Sequence, residues 1–512
     1  MTATLTRILA HHGPAPALRL DGRSHSYAEV IDRALALAGR LAAVDPGPHR
    51  VAAVLAHKSL GAYAGALACH CAGLGYLPLN PKFPAERLAA MLRRGGAGSL
   101  VVDGESRAAL SGLLATLPPG RLPAVVDAGR DGTGGGLAGP LPHAPEAAAY
   151  LLFTSGSTGQ PKGVPVSFAN LESYVGAAAS RWPLVPGDLA SQTFDLTFDL
   201  SAHDLFLTWA AGACLCPLPD PVLLNPAGFI RDSGLTVWFS VPSVAMMMAR
   251  ARTLRPGLFP DLRLSLFCGE PLPAATARAW AAAALNSRVA NLYGPTEATI
   301  AIAAFDWDAA AAGALPPESI VPIGRVFPGQ RHCLVAGGRP LTGPGRGELC
   351  LAGSQVTVGY LDAPDRTAAQ YVRLPGLAGL WYRTGDLVEE DASGLLHFIG
   401  RIDFQVKIAG YRVELGEVEA ALRAACGCDG VVVLPWPVEP GGGARGLAAF
   451  VLAEERDPGP ILTALRRTLP DYMVPARIVW RRSLPLNANG KVDRESLVSQ
   501  LNADSRRTGA EK

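Results

Sequence analysis

Short apolar, β-like runs alternate with alanine-rich helical stretches over most of the chain. The clearest runs are RVAAVLA (50–56), SLVVD (99–103), ACLCPLP (213–219) and TVWFSV (236–241). Because strands separated by helices pair through crossover connections, this order predicts α/β layers with parallel strands. From about residue 404 the pattern changes to short strands and two helices, and the last nine residues are typical of a frayed tail. We therefore predict a large domain, residues 1–402, and a small α+β domain, residues 403–512.

The amino-acid composition of the chain limits the classes of protein to which it can belong. The 512 residues exceed one ordinary domain, and 49% hydrophobic residues can supply a large core. The 46 basic and 44 acidic residues leave no basic surplus for nucleic acid and no charge block for a membrane surface. No N-terminal apolar run is long enough for a signal peptide, and the apolar stretch 60–79, with its histidine and four glycines, reads as a buried helix and strand. We expect a cytoplasmic protein with neither nucleic acid nor membrane as partner.

The nine cysteines include three pairs with a single intervening residue. That spacing is not the usual zinc-ligand spacing, and no second Cys or His motif accompanies it. We interpret the cysteines as small buried residues in a reducing compartment. The pairs are Cys69/Cys71, Cys214/Cys216 and Cys426/Cys428.

The run LLFTSGSTGQPKGV (151–164) has the order expected of a loop that binds phosphate. A strand-like segment leads into glycines that let the backbone approach a ligand, and hydroxyls and one lysine add donors and positive charge. It is not the common P-loop, because a proline precedes the lysine and a glycine follows it. A flexible linker would not end in QPKGV after four apolar residues. The residues expected to contact a polyphosphate are Thr154, Ser155, Gly156, Ser157, Thr158, Gly159 and Lys162.

This run resembles the signature of the AMP-forming adenylating enzymes, which include acyl- and aryl-CoA synthetases, luciferases and the amino-acid adenylation domains of peptide synthetases. Later segments resemble the other signatures of the family in the same order. They are NLYGPTEATI (291–300), GELCLAGSQVTVGYL (347–361), YRTGDLV (382–388), GRIDFQVKIAGYRVELGEVE (400–419) and LPLNANGKVDR (484–494). The resemblance covers nearly the whole chain. It implies the family fold: a large N-terminal domain of parallel and mixed sheets with flanking helices, and a small mobile α+β C-terminal domain.

The resemblance also implies a nucleotide site for ATP. Glu297, in a Gly-Pro-Thr-Glu turn, would bind the Mg²⁺ that neutralises the phosphates. Asp386 and Arg401 would contact the ribose, and Tyr293 would stack on adenine. Taken alone, Glu297 is equally typical of a solvated turn and Tyr293 of a core aromatic. The further nucleotide contacts that the resemblance implies are Gly269, Glu270, Pro271, Asn291, Gly294 and Thr296.

Lys491 follows an Asn-Gly turn that would project its side chain. In the family this lysine stabilises charge on the attacking carboxylate and the α-phosphate of ATP. With Thr154, Lys162 and Glu297 it completes the implied catalytic set. The implied reaction forms an acyl-adenylate and pyrophosphate, and a pantetheine thiol then takes the acyl group.

Asp403 matches the hinge about which the small domain of the family turns between the two steps. The turn would withdraw Lys491 and bring the loop Lys407–Tyr411 to the site. Because no carrier-protein segment follows the lysine motif, we expect the thiol to belong to the phosphopantetheine of a separate carrier protein.

The segment FDLTFDLSAHDLF (194–206) indicates the substrate class. In the members that activate amino acids, an aspartate after a phenylalanine pairs here with the substrate ammonium group. Asp199 matches this aspartate, because His203 and a helix-like stretch follow at the family spacing. Asp195 is a near-duplicate four residues earlier, and its use would favour a β-amino acid. A buried carboxylate needs a cationic partner, which favours an amino acid over a plain acid.

Phe239 and several leucines would fill the pocket, and no second charge would face the substrate side chain. These features predict a small uncharged amino acid: alanine first, glycine or serine next. CGEPLP (268–273) adds a resemblance to D-alanine–carrier-protein ligases, which have a cysteine at the position of Cys268. The pocket carried over from the family consists of Asp199, Leu200, His203, Phe239, Leu266, Cys268, Leu292, Ile300, Ala301 and Lys491.

Two other functions stay open from the sequence. A CoA ligase for a small acid would leave Asp199 without a role. A non-catalytic adenylate-binding protein would not need the intact set Lys162, Glu297, Asp386 and Lys491. A panel of amino acids against simple acids in pyrophosphate exchange separates these functions.

Overall fold

The computed structural model describes residues 2–118, 120, 122–129, 136–155, 161–220, 222, 225–403, 405–408, 410–438, 444–485 and 492–509. The chain forms two compact units. The first comprises Met1–Phe153 and Gly163–Ile402, and the second comprises Thr154–Lys162 and Asp403–Lys512. That the second unit turns about Asp403 stays a prediction.

Thirteen helices and 21 strands precede residue 402 in the described part of the chain. The helices are α1 (Ala3–Ala10), α2 (Tyr27–Ala42), α3 (Leu60–Cys71), α4 (Ala85–Gly95), α5 (Arg107–Thr116), α6 (Phe168–Arg181), α7 (Leu200–Ala202), α8 (Thr208–Ala210), α9 (Ala227–Asp232), α10 (Pro242–Arg250), α11 (Ala274–Ala283), α12 (Ala309–Ala314) and α13 (Pro364–Gln370). A π-helical turn, His203–Leu207, joins α7 to α8, and a 3₁₀ turn covers Thr296–Ala298.

The strands lie between these helices in the order expected of α/β layers. They are β1 (Pro16–Leu20), β2 (Arg23–Ser26), β3 (Val51–Leu55), β4 (Gly75–Leu79), β5 (Ser99–Val102), β6 (Ala124–Asp127), β7 (Ala148–Thr154), β8 (Lys162–Ser167), β9 (Leu189–Gln192), β10 (Cys214–Pro217), β11 (Val237–Ser240), β12 (Leu264–Cys268), β13 (Arg288–Tyr293), β14 (Ala303–Trp307), β15 (Arg325–Val326), β16 (Arg331–Ala336), β17 (Arg339–Pro340), β18 (Gly345–Ala352), β19 (Tyr371–Val372), β20 (Trp381–Glu390) and β21 (Leu396–Arg401).

These strands form three sheets. A nine-stranded sheet has the order β15-β14-β13-β12-β11-β9-β10-β1-β2 and is parallel from β13 to β1. A six-stranded sheet, β6-β5-β3-β4-β7-β8, is parallel wherever its register is defined. The third sheet, β17-β16-β18-β20-β19 with β21 on β20, is antiparallel. The stretch 60–79 forms the buried α3 and β4, as its sequence predicted.

The second unit contains short strands and helices. Its helices are α14 (Leu415–Cys426), α15 (Gly459–Leu465) and α16 (Arg494–Gly509), and its strands are β22 (Gln405–Ile408), β23 (Tyr411–Glu414), β24 (Val431–Pro435), β25 (Leu447–Leu452) and β26 (Arg477–Arg481). β22 and β23 form a hairpin, and β24-β25-β26 form a three-stranded sheet.

The C-terminal helix corrects two sequence predictions. The unit has three helices rather than two, and α16 extends through most of the segment predicted to be a frayed tail. Leu497 and Leu501, four residues apart on one face of α16, are buried in an apolar cluster with Phe450. Burying this pair anchors a helix whose other side chains are mostly polar.

Candidate active site

The predicted phosphate loop leaves the end of β7 and returns in β8. The Ser155 hydroxyl donates to the carbonyl oxygen of Arg412 at 2.8 Å and accepts from the N–H of Glu414 at 3.0 Å. Lys162 is buried, and its Nζ lies 3.9 Å from Oε1 of Glu414. Thr154 Oγ1 is buried and has no hydrogen-bond partner in the described part of the chain. The predicted loop residues Gly156, Ser157, Thr158 and Gly159 lie outside the described residues.

Asp386, Arg401 and Tyr293 form a hydrogen-bonded cluster. The antiparallel register of β20 and β21 sets Asp386 directly opposite Arg401. Arg401 Nη1 donates to Asp386 Oδ1 at 2.6 Å, and the Tyr293 hydroxyl donates to the other carboxylate oxygen. Burial raises the pKa of Tyr293, and the neighbouring Asp386 charge raises it further. The phenol therefore stays protonated and can act as a donor.

Glu297 is fully buried in the 3₁₀ turn after β13. Its Oε1 accepts a hydrogen bond from the Tyr360 hydroxyl at 2.8 Å. Gly294, which precedes the turn, must be glycine, because a Cβ there would lie 2.6 Å from the Ala301 Cα. The carboxylate is thus fixed inside the protein rather than solvated on a turn.

Two consecutive residues after this turn have left-handed backbone. Thr299 has a φ of 57° and Ile300 a φ of 68°, which is unfavourable for β-branched residues. Gln355 secures them: its backbone carbonyl accepts from Thr299 Oγ1 at 2.5 Å, and its Nε2 donates to the Ala301 carbonyl at 2.7 Å. Strain of this kind persists where the surroundings hold it, often at functional sites.

The predicted adenine-side residues lie at the ends of β12 and β13. Gly269 has a φ of 93°, which favours glycine. The Glu270 carboxylate accepts from the N–H of Ser243 at 2.8 Å, at the start of α10. Asn291 donates to the carbonyl of Pro322 at 2.9 Å, and its own carbonyl oxygen is buried without a hydrogen-bond partner in the described part of the chain. Pro271 and Thr296 are half-buried.

Asp199 is buried immediately before the short helix α7. Burial raises the pKa of Tyr76, Tyr150 and Tyr174, and the Asp199 charge raises it further in each. The Asp199 charge therefore acts on three fully buried tyrosines. In such surroundings a carboxylate strongly favours a cation as its neighbour.

Asp195 has a different environment. Its Oδ2 accepts from Asn80 Nδ2 at 2.8 Å, and its Oδ1 accepts from the backbone N–H of Thr197 at 2.9 Å and from the Thr197 hydroxyl at 2.5 Å. One oxygen is thus engaged in a local turn and the other by a distant segment, so the Asp195 carboxylate is already bound by protein groups. That Asp199 is the aspartate that faces a ligand stays a prediction.

The apolar residues of the predicted pocket belong to one buried cluster. Phe239 pairs with Leu266 across β11 and β12, and Cys268 pairs with Leu292 across β12 and β13. The parallel strands therefore bring residues from three distant segments to one face of the nine-stranded sheet. The members of the cluster that the sequence selected are Leu200, Phe239, Leu266, Cys268, Leu292, Ile300 and Ala301.

His203 opens the π-helical turn, four residues after Asp199. Its Nδ1 lies 2.6 Å from the Tyr174 hydroxyl, and its ring centroid lies 4.5 Å from that of Phe239. Burial lowers the pKa of His203 to about 3, so the imidazole is neutral at physiological pH. The histidine therefore adds no positive charge to the predicted pocket.

The neutral state of His203 predicts a dependence of stability on pH. In the unfolded chain a histidine binds a proton near pH 6.5, so below that pH the unfolded state holds more protons than the folded state. The free energy of unfolding should fall as the pH drops from 6.5 toward 3. His203→Gln should flatten this slope by up to about 1.4 kcal/mol per pH unit, measured by urea unfolding at pH 4 to 7. An unchanged slope would contradict a neutral buried His203.

Three residues of the site were missed by sequence reasoning. Tyr360 and Gln355 lie inside GELCLAGSQVTVGYL, but nothing in that string indicated their contacts with Glu297 and Ala301. Tyr174 lies on α6, outside every motif. Lys491 is outside the described residues, and Asp403 is exposed at the start of the second unit.

The single carboxylate of Glu297 is compatible with a Mg²⁺ ion that is bound mainly by the phosphates of a nucleotide. No group of three or more acidic, His or Cys side chains capable of holding a metal occurs in the described residues. Mg²⁺ is commonly held by one or two carboxylates together with substrate phosphates, rather than by a cage of protein ligands. A single buried carboxylate fits that mode.

Comparison with known protein families identifies the class of protein to which the chain belongs. Residues 5–361 match the protein family described as AMP-binding enzyme. The chain therefore belongs to the AMP-binding enzyme family and is an enzyme of that class, which confirms the predicted membership of the AMP-forming adenylating enzymes.

Two known proteins are similar to this chain over most of its length. The chain is 36% identical over 93% of its length to a probable non-canonical nonribosomal peptide synthetase, CymA, of Salinispora arenicola, but spans only 6% of that protein. It is 33% identical to an L-proline–[L-prolyl-carrier protein] ligase of Pseudomonas fluorescens, with 93% of this chain and 94% of the relative covered.

A solved structure confirms the predicted fold class. The adenylation domain AlmE of Vibrio cholerae, solved with glycyl-adenosine-5'-phosphate, superposes with a TM-score of 0.86 at 33% identity, covering 98% of this chain and 97% of that one. None of the described helices is long and apolar enough to span a membrane.

Proposed function

We propose that this enzyme activates a small uncharged amino acid with ATP. It would form the aminoacyl-adenylate and pyrophosphate, and then pass the aminoacyl group to the phosphopantetheine thiol of a separate carrier protein. The observation that carries the proposal is the buried Asp199 carboxylate, which precedes Leu200 of the apolar cluster that holds the predicted pocket residues. Alanine is the favoured substrate, followed by glycine and serine.

The substrate class has support from the residues and from the relatives. Asp199 would pair with the ammonium group, and the neutral His203 and apolar Phe239 would meet a short uncharged side chain. A D-alanine–D-alanyl carrier protein ligase of Bacillus licheniformis is 30% identical over 93% of this chain and 94% of its own length.

The nucleotide residues would act by binding and orienting. Asp386, held by Arg401 and Tyr293, would accept the ribose hydroxyls. Lys162 and the loop 154–162 would bind the phosphates. Glu297 would hold Mg²⁺, which when bound neutralises phosphate charge. Lys491 would stabilise the charge that develops at the α-phosphate. Little covalent chemistry is required of the protein, because positioning and charge stabilisation suffice.

Amino-acid-dependent exchange of pyrophosphate into ATP tests the proposal. The assay compares glycine, alanine, serine, β-alanine, valine, leucine, phenylalanine and lysine with acetate and propionate. We expect exchange with the small α-amino acids, alanine strongest. Exchange only with the simple acids would indicate a CoA ligase. Preference for leucine, phenylalanine or lysine would refute the prediction that the pocket admits only a small uncharged side chain.

Phe239→Ala should enlarge the accepted side chain. The truncation opens space for several methylenes, each contributing about 0.8 kcal/mol when buried, so activity should move from alanine toward valine and leucine. Exchange with alanine should weaken modestly, because a cavity is left unfilled. The measurement is kcat/KM over the homologous series.

Phe267→Ala is the matched control. Phe267 is equally buried, but it alternates to the other face of β12 and packs in a different apolar cluster. This variant should lose stability without changing substrate preference. Equal shifts of preference in the two variants would contradict the role of Phe239 as a pocket wall.

A further inference from the structure

Tyr174 contacts His203, a residue of the predicted amino-acid pocket, although no motif includes it. It is fully buried on α6, and its hydroxyl lies 2.6 Å from Nδ1 of His203. α6 and the π-helical turn that carries His203 are separate segments, so this hydrogen bond joins two elements of the fold. The bond is buried on both sides, where net hydrogen-bond strength and the penalty for losing one partner are greatest.

The His203 ring is held on two sides. Tyr174 contacts its Nδ1, while the Phe239 ring packs 4.5 Å from its centroid. Phe239 in turn meets Phe194 edge-to-face at 5.0 Å. Rotation of the imidazole would break the hydrogen bond and disturb this aromatic packing. The position of the ring is therefore set by Tyr174 and Phe239 together.

The hydrogen bond also selects one tautomer. A buried hydroxyl needs an acceptor for its proton, and in the described part of the chain the Tyr174 hydroxyl faces His203 Nδ1. The phenol then donates to Nδ1, and the ring proton resides on Nε2. Cys268 and Asp199, both predicted pocket residues, act electrostatically on the Tyr174 hydroxyl.

We propose that Tyr174 is a specificity-determining positioning residue that fixes the His203 ring as the floor of the amino-acid pocket, restricting the substrate to a side chain of about one carbon. The inference rests on the proposed function, because it refines which amino acids that pocket admits. It requires no contact between Tyr174 and the substrate.

The test compares Tyr174→Phe with a matched control, Tyr27→Phe. Both changes remove one hydroxyl from a fully buried tyrosine, and the Tyr27 hydroxyl donates to the carbonyl of Ala213 at 2.7 Å, where neither residue is a predicted pocket position. Kinetics of pyrophosphate exchange are measured with glycine, alanine, 2-aminobutyrate and valine. Thermal unfolding of each variant is measured alongside.

For Tyr174→Phe we expect KM for alanine to rise about tenfold with kcat little changed, the scale of one buried hydrogen bond. The kcat/KM ratio of 2-aminobutyrate to alanine should rise about tenfold. Tyr27→Phe should leave both quantities at wild-type values. In protein labelled with ¹⁵N-histidine, the signals of one ring with a fixed Nε2–H tautomer should change in Tyr174→Phe alone.

The outcomes separate the inference from the proposed function. A wild type that exchanges pyrophosphate with no small amino acid overturns both. An active wild type with an unchanged substrate ratio in Tyr174→Phe, or an equal shift in Tyr27→Phe, overturns the inference alone. If Tyr174→Phe does not fold, His203→Gln must shift the ratio in the same direction, and an unshifted ratio in that variant overturns the inference.

Discussion

Asp199→Ala should abolish amino-acid-dependent pyrophosphate exchange. In the proposed complex this carboxylate is the partner of the substrate ammonium group, and removing one member of a buried ion pair costs about 3–5 kcal/mol. That range corresponds to a loss of at least a hundredfold in kcat/KM. The measurement is exchange with alanine over a wide concentration range, with binding of ATP followed separately and expected to be unchanged.

Asp195→Ala provides the control at the neighbouring aspartate. Its carboxylate accepts hydrogen bonds from Asn80 and Thr197, so its loss should reduce stability and affect exchange only mildly. If Asp195→Ala is the more damaging change, the ammonium site is built on the earlier aspartate. A β-amino acid would then become the favoured substrate.

Lys491→Ala should reduce adenylation by ~10²–10³-fold, the effect of losing one preorganised charge donor. Substrate binding should change little. Thiolysis of preformed aminoacyl-adenylate should survive, because in the proposed cycle this lysine is withdrawn before the thiol attacks. The two half-reactions are measured separately, by pyrophosphate exchange and by transfer from synthetic adenylate.

Lys82→Ala is a suitable comparison for the lysine variant. Lys82 is largely exposed and paired with Asp220 in the first unit, so its loss should leave both half-reactions intact. Equal loss of the two half-reactions in Lys491→Ala would refute the proposal that the enzyme works in two conformations.

Local sequence patterns were sufficient to predict a helix, a strand or a site residue where a single motif determines it. The apolar run 60–79 predicted α3 and β4. The T-G-D motif selected Asp386 as a site residue, and the register of β20 and β21 sets it opposite Arg401. The C-terminal helix was missed because its polar residues outnumber the apolar ones. Its position is stabilised by tertiary packing, in which Leu497 and Leu501 join an apolar cluster with residues of β24, β25 and β26.

The supporting residues of the site depend on contacts that no local pattern encodes. Tyr360 donates to a carboxylate 63 residues earlier in the chain, and Tyr174 reaches His203 only because α6 packs on the π-helical turn. Tyrosines are common in apolar cores, so neither could be distinguished by composition. Motifs thus selected the residues proposed to face the ligands, while tertiary packing selects those that hold them.

The left-handed pair Thr299–Ile300 has a consequence for engineering substrate choice. Ile300 and Ala301 are predicted pocket positions, yet their backbone is held by Gln355 from a different segment. Substitutions among residues in contact are not additive. If another enzyme's side chains were introduced at positions 300 and 301 alone, the backbone would keep the conformation set by Gln355, which need not suit the new side chains. The transferable unit is the turn together with its glutamine.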